Sequence, residues 1–402
     1  MSRDYDIVLF GATGFTGALT AIAIANSDEV KSGLRFAIAG RNREKLEAVA
    51  KTCGTPAIEV VDATDDKALR LLAEKAGVIV TTVGPYLRHG LPLAKACAAA
   101  GTHYADLTGE PPFVRNSIDV NHATATETGA RLVHCCGFDS IPSDLGTFIL
   151  QEAATADGGP CDVVRYTLMA ARGGVSGGTA QSMVAIMQAA ASDPNARATM
   201  KDPYSLVPGG VRGKDRGEGF SVRFDDDVDG WVGPFFMAPI NTRIVRRSNH
   251  LLGQRYGDDF RYREQMRTGR GLKGHAAAKA LQLGLGAMMG VAATGPGRAL
   301  MGKVLPASGT GPNEAAREAG FFTAHLHGHR TRDGAHFSAV VKGHKDPGYG
   351  GTTIMLSQSA LCLAADTLTS SGGVTTPAAA MGDHLVTRLR AQGMELSAKR
   401  LS

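Results

Sequence analysis

The chain has 402 residues, of which 43% are hydrophobic and 20% are charged, and its formal net charge is +5. This length favours two domains, and so small a charge argues against a nucleic-acid partner unless basic residues are concentrated in one patch. The six cysteines include no C-x-x-C pair, which argues against a zinc ribbon or a thioredoxin-like motif. No secretory leader precedes the first predicted strand, so we expect a cytoplasmic protein.

Short apolar strands alternate with helices in the first third of the chain. The strands are predicted at 5–10, 35–40, 57–63, 103–109 and 131–139, and the stretch 77–86 is predicted to hold the fourth strand and its exit loop. The helices are predicted at 16–25, 43–51, 65–76 and 91–101. This alternation predicts the α/β fold class with a Rossmann-type doubly wound parallel sheet, and we assign it to a domain at 1–145.

The pattern changes after about residue 145. The elements predicted in the rest of the chain are a hairpin at 319–344 and helices at 352–370 and 377–393. The hairpin is predicted because Asp333-Gly334 is a strong turn signal. We expect a second α/β domain with a mixed sheet at 146–350, and a C-terminal segment at 351–402 that packs back on the first domain.

The stretch LFGATGFTG at 9–17 joins the first strand to the first helix. Its glycines have the spacing G-x-x-G-x-x-G, a variant of the dinucleotide fingerprint. The backbone N–H groups of such a turn and the helix dipole attract a pyrophosphate. The predicted cofactor-binding residues of the turn are Gly11, Thr13, Gly14, Phe15, Thr16 and Gly17. The alternative is a turn that serves only strand–helix packing.

The end of the second strand indicates which dinucleotide binds. An NAD site usually has an acidic residue there for the ribose 2′-hydroxyl, whereas this chain has Arg41. A guanidinium offers several donors to a 2′-phosphate, so we predict NADPH bound by Arg41; a solvated loop arginine is the alternative. Asp62, after the third strand, is predicted to contact the adenine or else to cap the helix at 65–76.

Doubly wound sheets bind ligands at the carboxyl ends of their strands. The predicted cofactor-binding residues of the loop after the fourth strand are Val83, Gly84, Pro85 and Tyr86. Tyr86 and Asp139 are the catalytic candidates, although Asp139 or Ser140 also suits the cap of a following helix. Asp106 and Glu110 lie at the same edge and are further candidates.

No familiar spacing identifies the acid–base group. None of the eight tyrosines has a lysine four residues later, as in a short-chain dehydrogenase, and neither a Ser-His-Asp motif nor H-E-x-x-H is present. His325, His327 and His329 alternate along a predicted strand, which suits a metal site or, more simply, a partly exposed strand face. We predict no metal.

Two stretches later in the chain are candidate surfaces. Arginines cluster at 241–249 and 261–273, where we expect a solvated face or a dock for an anionic carrier protein, phosphopantetheine arm or membrane. The Ala/Gly/Leu/Met-rich stretch 275–295 is long enough to span a bilayer. We expect it to pack against the protein or line an acyl channel; peripheral membrane contact and a true span are alternatives.

A family resemblance is carried by the segments DIVLFGATGFTG, TTVGPYLRHGLPLAKACAAAGTHYADLTGE, CGFDSIPSDLG, NTRIVRRSN and TPAAAMGD. Together they resemble the saccharopine dehydrogenase-like family, above all its mycobacterial trans-acting enoyl reductase branch. The resemblance implies NADPH as cofactor and reduction of a C=C bond in an acyl thioester during complex lipid biosynthesis. It also implies a partner polyketide synthase or acyl carrier protein, and a homodimer is left open.

Two other functions stay open at this point. One is a C=N reductase for an imino acid, as the broader family name suggests, although so small a substrate needs no apolar channel like the one expected from 275–295. The other is a non-catalytic NADPH-binding scaffold, because no acid–base pair is recognisable from spacing.

Overall fold

The computed structural model describes residues 3–173, 177–209, 211–215, 217, 219–297 and 311–401. The strands in chain order are β1 (Tyr5–Phe10), β2 (Phe36–Gly40), β3 (Ala57–Val60), β4 (Ala76–Thr81), β5 (His103–Asp106), β6 (Arg131–Val133), β7 (Val163–Arg172), β8 (Arg223–Asp225), β9 (Gly230–Gly233), β10 (Arg261–Gly269), β11 (Phe321–Arg330), β12 (Ala335–Gly343), β13 (Gly373–Thr375) and β14 (Glu395–Arg400). The helices are α1 (Phe15–Ala25), α2 (Asp28–Lys31), α3 (Arg43–Thr52), α4 (Asp66–Lys75), α5 (Tyr86–Ala100), α6 (Pro111–Thr128), α7 (Ile141–Ala156), α8 (Gly177–Ser192), α9 (Pro194–Lys201), α10 (Ala238–Leu251), α11 (Gly271–Ala293), α12 (Glu314–Glu318), α13 (Thr352–Ala365) and α14 (Pro377–Ala391).

The first sheet is parallel, with the strand order β13-β6-β5-β4-β1-β2-β3. β1 lies between β2 and β4, and its residues Ile7, Val8 and Leu9 are fully buried. A strand in this position is covered by helices on both faces, so successive side chains are all apolar. The predicted α/β fold class with a doubly wound, Rossmann-type sheet is confirmed.

The second sheet is mixed, with the order β14-β12-β11-β7-β10-β9-β8. β7 and β10 are parallel, and the other neighbouring strands are antiparallel. The predicted hairpin is formed by β11 and β12, whose pairing ends at Arg330 and Ala335. Gly334 in its turn has φ +73°, which glycine adopts readily.

The C-terminal segment contributes a strand to each sheet. β13 pairs with β6 in the first sheet, and β14 pairs with β12 in the second. The helix α7, which follows β6 and precedes β7 in the chain, is largely buried. It packs on β12, β14 and α14. The division of the chain at residue 145, with 351–402 returning to the first domain, stays a prediction.

Some of the predicted strands extend too far at their carboxyl ends. The stretch 77–86 behaves as predicted: the strand ends at Thr81, and an exit loop follows before α5 begins at Tyr86. Val83 lies in this loop, where its apolar side chain lines a cavity and does not belong to a strand. The strands predicted at 57–63, 103–109 and 131–139 are the ones that are too long, because they end at Val60, Asp106 and Val133.

The arginines of α10 are buried. Arg243, Arg246 and Arg247 are 1%, 3% and 1% exposed. Arg246 pairs with Asp215 at 2.9 Å, and the other two donate hydrogen bonds to backbone carbonyls within 200–206. The expectation of a solvated or docking face is therefore wrong for α10, whose guanidiniums hold the irregular segment beside the helix.

α11 covers most of the stretch 275–295 and has one packed and one exposed side. Ala278 and Ala292 are buried, whereas Leu272 is 87% and Leu283 is 70% exposed. Its packed side contacts β9 and β10. Among the residues that the structure describes, no helix combines the length and hydropathy needed to cross a membrane.

Candidate functional site

A cavity of about 1100 Å³ opens at the carboxyl edge of the first sheet. The loops after β1, β2, β3 and β4 bound one end, and apolar side chains from residues after 145 bound the other. The predicted cofactor-binding residues on its wall are Gly11, Thr13, Gly14, Thr16, Arg41, Asp62, Val83, Gly84, Pro85 and Tyr86. Asp139 lies on the same wall, so the structure brings both kinds of predicted residue together.

The glycine turn leaves the start of α1 accessible to a ligand. Gly11 has φ +92°, and a Cβ at Gly17 would lie 2.2 Å from the Gly11 carbonyl oxygen. Gly17 thus allows α1 to approach the turn and is itself absent from the described cavity wall. Because no side chain of the described residues caps α1 at Gly14, its first-turn N–H groups are left for an anion.

Phe15 packs behind the turn instead of on the cavity wall. Its ring meets the ring of Tyr349 edge to face, with centroids 4.9 Å apart. The guanidinium of Arg317 lies 5.4 Å from the centroid of the same ring. These contacts fix the turn against the segment before β11 and the segment before α13; a role for Phe15 in cofactor binding stays a prediction.

Arg41 and Asp62 lie at the end of the cavity where the adenosine of a dinucleotide is expected. Arg41 is exposed, and Asp62 accepts hydrogen bonds from the amide (2.9 Å) and hydroxyl (2.7 Å) of Thr64. These bonds, with the charges of Arg41 and His89, lower the pKa of Asp62. The side chain that caps α4 is Asp65, so the alternative of Asp62 as that cap is wrong.

The ring of Tyr86 lines the cavity, but its hydroxyl is used inside the fold. The hydroxyl donates to the Thr81 carbonyl at 3.1 Å and accepts from the Leu107 amide at 3.2 Å. Burial raises the pKa of Tyr86 well above its usual value. This arrangement favours a structural role for the hydroxyl at the ends of β4 and β5.

Asp139, the second catalytic candidate, lines the cavity. It lies beside Gly109, where a Cβ would be 3.6 Å from its Oδ1. Burial raises the pKa of Asp139 to about 7, and the negative charges of Asp106 and Glu110 contribute. A large fraction of the carboxyl group is therefore protonated at neutral pH, as a general acid requires.

The capping interpretation of this loop is wrong. Ser140 occupies the N-cap position of α7, yet within the described chain neither it nor Asp139 makes a side-chain cap there. The Ser140 hydroxyl instead donates to Asn241 Oδ1 at 3.0 Å. That bond ties the start of α7 to α10.

Asp106 forms a buried hydrogen-bonded chain beneath the cavity. One oxygen accepts from the His134 ring at 2.7 Å, and the other ring nitrogen of His134 lies 2.9 Å from Ser117 Oγ. Amides of Thr108 and Cys135 bond the second carboxylate oxygen at 3.1 Å. The side chains of Ser117, His134 and Asp106 resemble a catalytic triad, but each is 0% exposed. This hydrogen-bonded chain therefore stabilises the loops and has no access to substrate.

Glu110 is also 0% exposed. Its carboxylate accepts hydrogen bonds from the amides of Tyr86 and Leu87, at 3.0 and 2.8 Å, and from the Ser182 hydroxyl at 2.6 Å. Burial raises the pKa of Glu110 despite these three bonds. The sequence places Glu110 at the correct edge but gives no sign of its partners, which are distant in the chain.

The far end of the cavity is apolar and rich in methionine. Its wall includes Met183, Ile186, Met187, Met200, Phe235, Phe236, Met237, Met266, Leu285, Met288 and Met289. Thioether side chains adapt to irregular apolar ligands. Sequence reasoning missed the contribution of α8, although Met183, Ile186 and Met187 recur at helical spacing in SMVAIMQAA.

The histidines of β11 lie half-buried on one side of that strand. His329 stacks on His336 with ring centroids 4.7 Å apart. Across the ranges that the structure describes, no group of three or more His, Cys, Asp or Glu side chains is arranged to hold a metal ion.

Known proteins resemble both the sequence and the fold of this chain. The family described as saccharopine dehydrogenase NADP binding domain matches residues 7–133. A solved structure of apo saccharopine dehydrogenase (L-Glu forming) from Saccharomyces cerevisiae aligns with a TM-score of 0.56 and 12% identity, covering 98% of this chain and 99% of that chain. At that identity the likeness concerns the fold alone.

Closer relatives are mycobacterial. The trans-acting enoyl reductase of Mycobacterium ulcerans (strain Agy99) is 42% identical over 99% of both chains, and that of Mycobacterium tuberculosis (strain ATCC 25618 / H37Rv) is 41% identical over 100% of this chain and 99% of the relative. Another protein of the latter strain, provisionally named a trans-acting enoyl reductase, is 44% identical with the same coverage. The predicted NADPH cofactor and the family resemblance are thus confirmed. This chain is an NADP-dependent oxidoreductase that belongs to the trans-acting enoyl reductases of the saccharopine dehydrogenase-like family.

Proposed function

We propose that this protein reduces the C=C bond of an enoyl thioester that a polyketide synthase or acyl carrier protein presents during lipid biosynthesis. The observation that carries the proposal is one continuous cavity, which joins a dinucleotide-type rim to a methionine-rich apolar end. Asp139 lies on the wall of that cavity. Residues 1–145 would hold the cofactor, and residues 146–350 would hold the acyl chain.

The rim residues fit NADPH. The uncapped start of α1 suits a pyrophosphate, and Arg41 offers a planar set of donors to the 2′-phosphate. The loop Val83–Tyr86 would cover the nicotinamide. When bound, NADPH supplies a hydride for the β-carbon of the enoyl group.

Asp139 is proposed as the proton donor to the α-carbon. Its raised pKa of about 7 keeps a protonated carboxyl available near neutral pH. The hydroxyl of Tyr86, the other catalytic candidate, already donates a hydrogen bond to the carbonyl oxygen of Thr81. We therefore assign Tyr86 to shaping the site, with Asp139 releasing the proton that completes reduction.

The apolar end disfavours the imino-acid alternative. An imino acid needs a cation for its carboxylate, and the arginine on that part of the wall, Arg197, is bonded to the carbonyls of Ala190 and Ala191 at 2.9 and 2.8 Å. The non-catalytic scaffold is disfavoured because Asp139 combines cavity access with a raised pKa.

Contacts outside the cavity complete the proposal. α11 lines the cavity with Leu285 and Met288 while exposing Leu272 and Leu283. These exposed side chains support peripheral contact of a cytoplasmic protein with a membrane. A carrier domain and a homodimer are the other proposed partners.

Turnover of defined thioesters tests the function. Purified protein is mixed with NADPH and either trans-2-hexadecenoyl-CoA or trans-2-butenoyl-CoA, and both NADPH consumption and the saturated product are measured. We expect preference for the longer chain, since the apolar end would bind it. Turnover of cyclic imino acids, with neither thioester reduced, would instead establish the C=N reductase alternative.

A further inference from the structure

A single buried carboxylate bonds two separate parts of the cavity wall. Glu110 accepts hydrogen bonds from the amides of Tyr86 and Leu87, the first two residues of α5, at 3.0 and 2.8 Å. The oxygen that bonds Tyr86 also accepts from the hydroxyl of Ser182 on α8 at 2.6 Å. Glu110 therefore fixes the start of α5 and reaches α8 at the same time.

The two bonded elements serve opposite ends of the cavity. α5 begins directly after the cofactor-side loop of Val83, Gly84 and Pro85. On α8, Met183 follows Ser182, and Met187 lies just over one turn further. Movement of α8 would therefore be transmitted to the loop through the Glu110–Ser182 hydrogen bond.

We propose that Glu110 is a positioning residue that couples cofactor binding to acyl-chain binding by holding α8 against the start of α5. The inference rests on the proposed function, because it takes the apolar end as the acyl site. A charged acceptor with solvent excluded makes strong hydrogen bonds. A ligand that orders one element then lowers the ordering cost of the other, so each ligand tightens the binding of the second.

A second contact between the same helices provides a comparison. Arg88 on α5 donates to Gln188 on α8 at 2.9 Å, but this pair is exposed. Water competes for both side chains, so the exposed pair transmits little of the coupling. The Ser182 bond is part-buried and ends on the fully buried Glu110 carboxylate, so this link carries the coupling.

The test is calorimetric titration of the full chain with NADPH, with and without saturating palmitoyl-CoA. This probe has no conjugated C=C bond, so nothing is reduced during the titration. We expect palmitoyl-CoA to tighten NADPH binding about fivefold or more in the wild type. In Ser182→Ala, which removes one of the three donors to Glu110, the ratio should fall below about twofold.

The matched control is Ser192→Ala. Its hydroxyl lies on the same helix but donates to the Gln188 carbonyl at 2.9 Å in an exposed position, so the ratio should match the wild type. Glu110→Gln, which keeps an acceptor oxygen without the charge, should give an intermediate ratio. Melting temperatures of all variants identify any that fail to fold, and Ser182→Ala is expected to fold because the two amide bonds persist.

Two results would overturn the coupling. The first is that palmitoyl-CoA tightens NADPH binding in Ser182→Ala as much as it does in the wild type. The second is that palmitoyl-CoA leaves NADPH binding to the wild type unchanged, which includes the case in which palmitoyl-CoA does not bind. The proposed function is judged separately by reduction of an enoyl thioester. Turnover without coupling removes only this inference, and coupling without turnover removes only the reductase proposal.

Discussion

The hydroxyl of Tyr86 donates a hydrogen bond to the carbonyl oxygen of Thr81, 3.1 Å away. With the bond it accepts from Leu107, it connects the ends of β4 and β5. We predict that Tyr86→Phe lowers the free energy of unfolding by about 1–3 kcal/mol, because a buried carbonyl and a part-buried amide lose a partner. kcat should fall by less than about tenfold, well short of the loss expected for a general acid.

Urea denaturation and steady-state kinetics check this prediction. Tyr5→Phe is the control, because the Tyr5 hydroxyl bonds Glu59 at a part-buried position and its loss should cost less than the loss at Tyr86. A thousand-fold lower kcat with unchanged stability would show that Tyr86, and not Asp139, supplies the proton.

We predict that Arg41, which lines the cavity, determines the preference for NADPH. Arg41→Ala should weaken NADPH binding about 10–100-fold, the value of a charge-assisted hydrogen bond to a phosphate, and leave NADH binding nearly unchanged. Fluorescence titration with both cofactors measures this. The control is Arg43→Ala, since Arg43 is also exposed but does not line the described cavity wall. If Arg41→Ala weakened the binding of NADPH and NADH equally, the proposed contact between Arg41 and the 2′-phosphate would be wrong.

The proposed proton donor, Asp139, predicts a pH dependence for the reaction. Asp139 has a pKa raised to about 7 by burial, and only its protonated form donates. The rate should therefore be highest below pH 7 and fall with rising pH through that value. Asp139→Asn should lower kcat by about 10²–10⁴-fold and remove this decline. An unchanged profile in Asp139→Asn would assign the proton to another group or to water.

The buried arginines of α10 are predicted to matter for folding. Arg246 and Asp215 are both 2% exposed in their side chains, so Arg246→Ala leaves an unpaired buried carboxylate. We expect a loss of about 3–5 kcal/mol in the free energy of unfolding. Arg255→Ala breaks the more exposed pair with Glu152 and should cost about 1 kcal/mol or less. Similar small losses in both variants would contradict the structural role.

Local patterns were sufficient to predict six of the seven strands of the first sheet and most residues on the cavity rim. The apolar run of β1, the glycine turn and Arg41 are close in sequence, so the alternation of strand, turn and helix places them together. The hairpin of β11 and β12 was also predictable, because Asp333-Gly334 specifies its turn.

Contacts between distant segments could not be predicted in this way. Glu110 and Ser182 are 72 residues apart, and nothing in their spacing indicates a hydrogen bond. A cluster of arginines such as that of α10 is typical of an exposed surface. Here the guanidiniums are buried and donate hydrogen bonds to backbone carbonyls of the 200–206 segment. The sequence places Asp139 at the carboxyl edge of the sheet but also suits a helix cap, and the structure decides between the two by showing Asp139 on the cavity wall with no side-chain cap at α7.

The central claim is hydride transfer to a carbon–carbon double bond, and isotopic labelling tests it most directly. The protein is incubated with NADPH deuterated at the transferring position of the nicotinamide and with trans-2-hexadecenoyl-CoA, and the product is analysed by mass spectrometry and NMR. The account predicts a saturated thioester with one deuterium on the β-carbon and a solvent-derived proton on the α-carbon. A thioester recovered without deuterium, under conditions where NADPH binds, would contradict it.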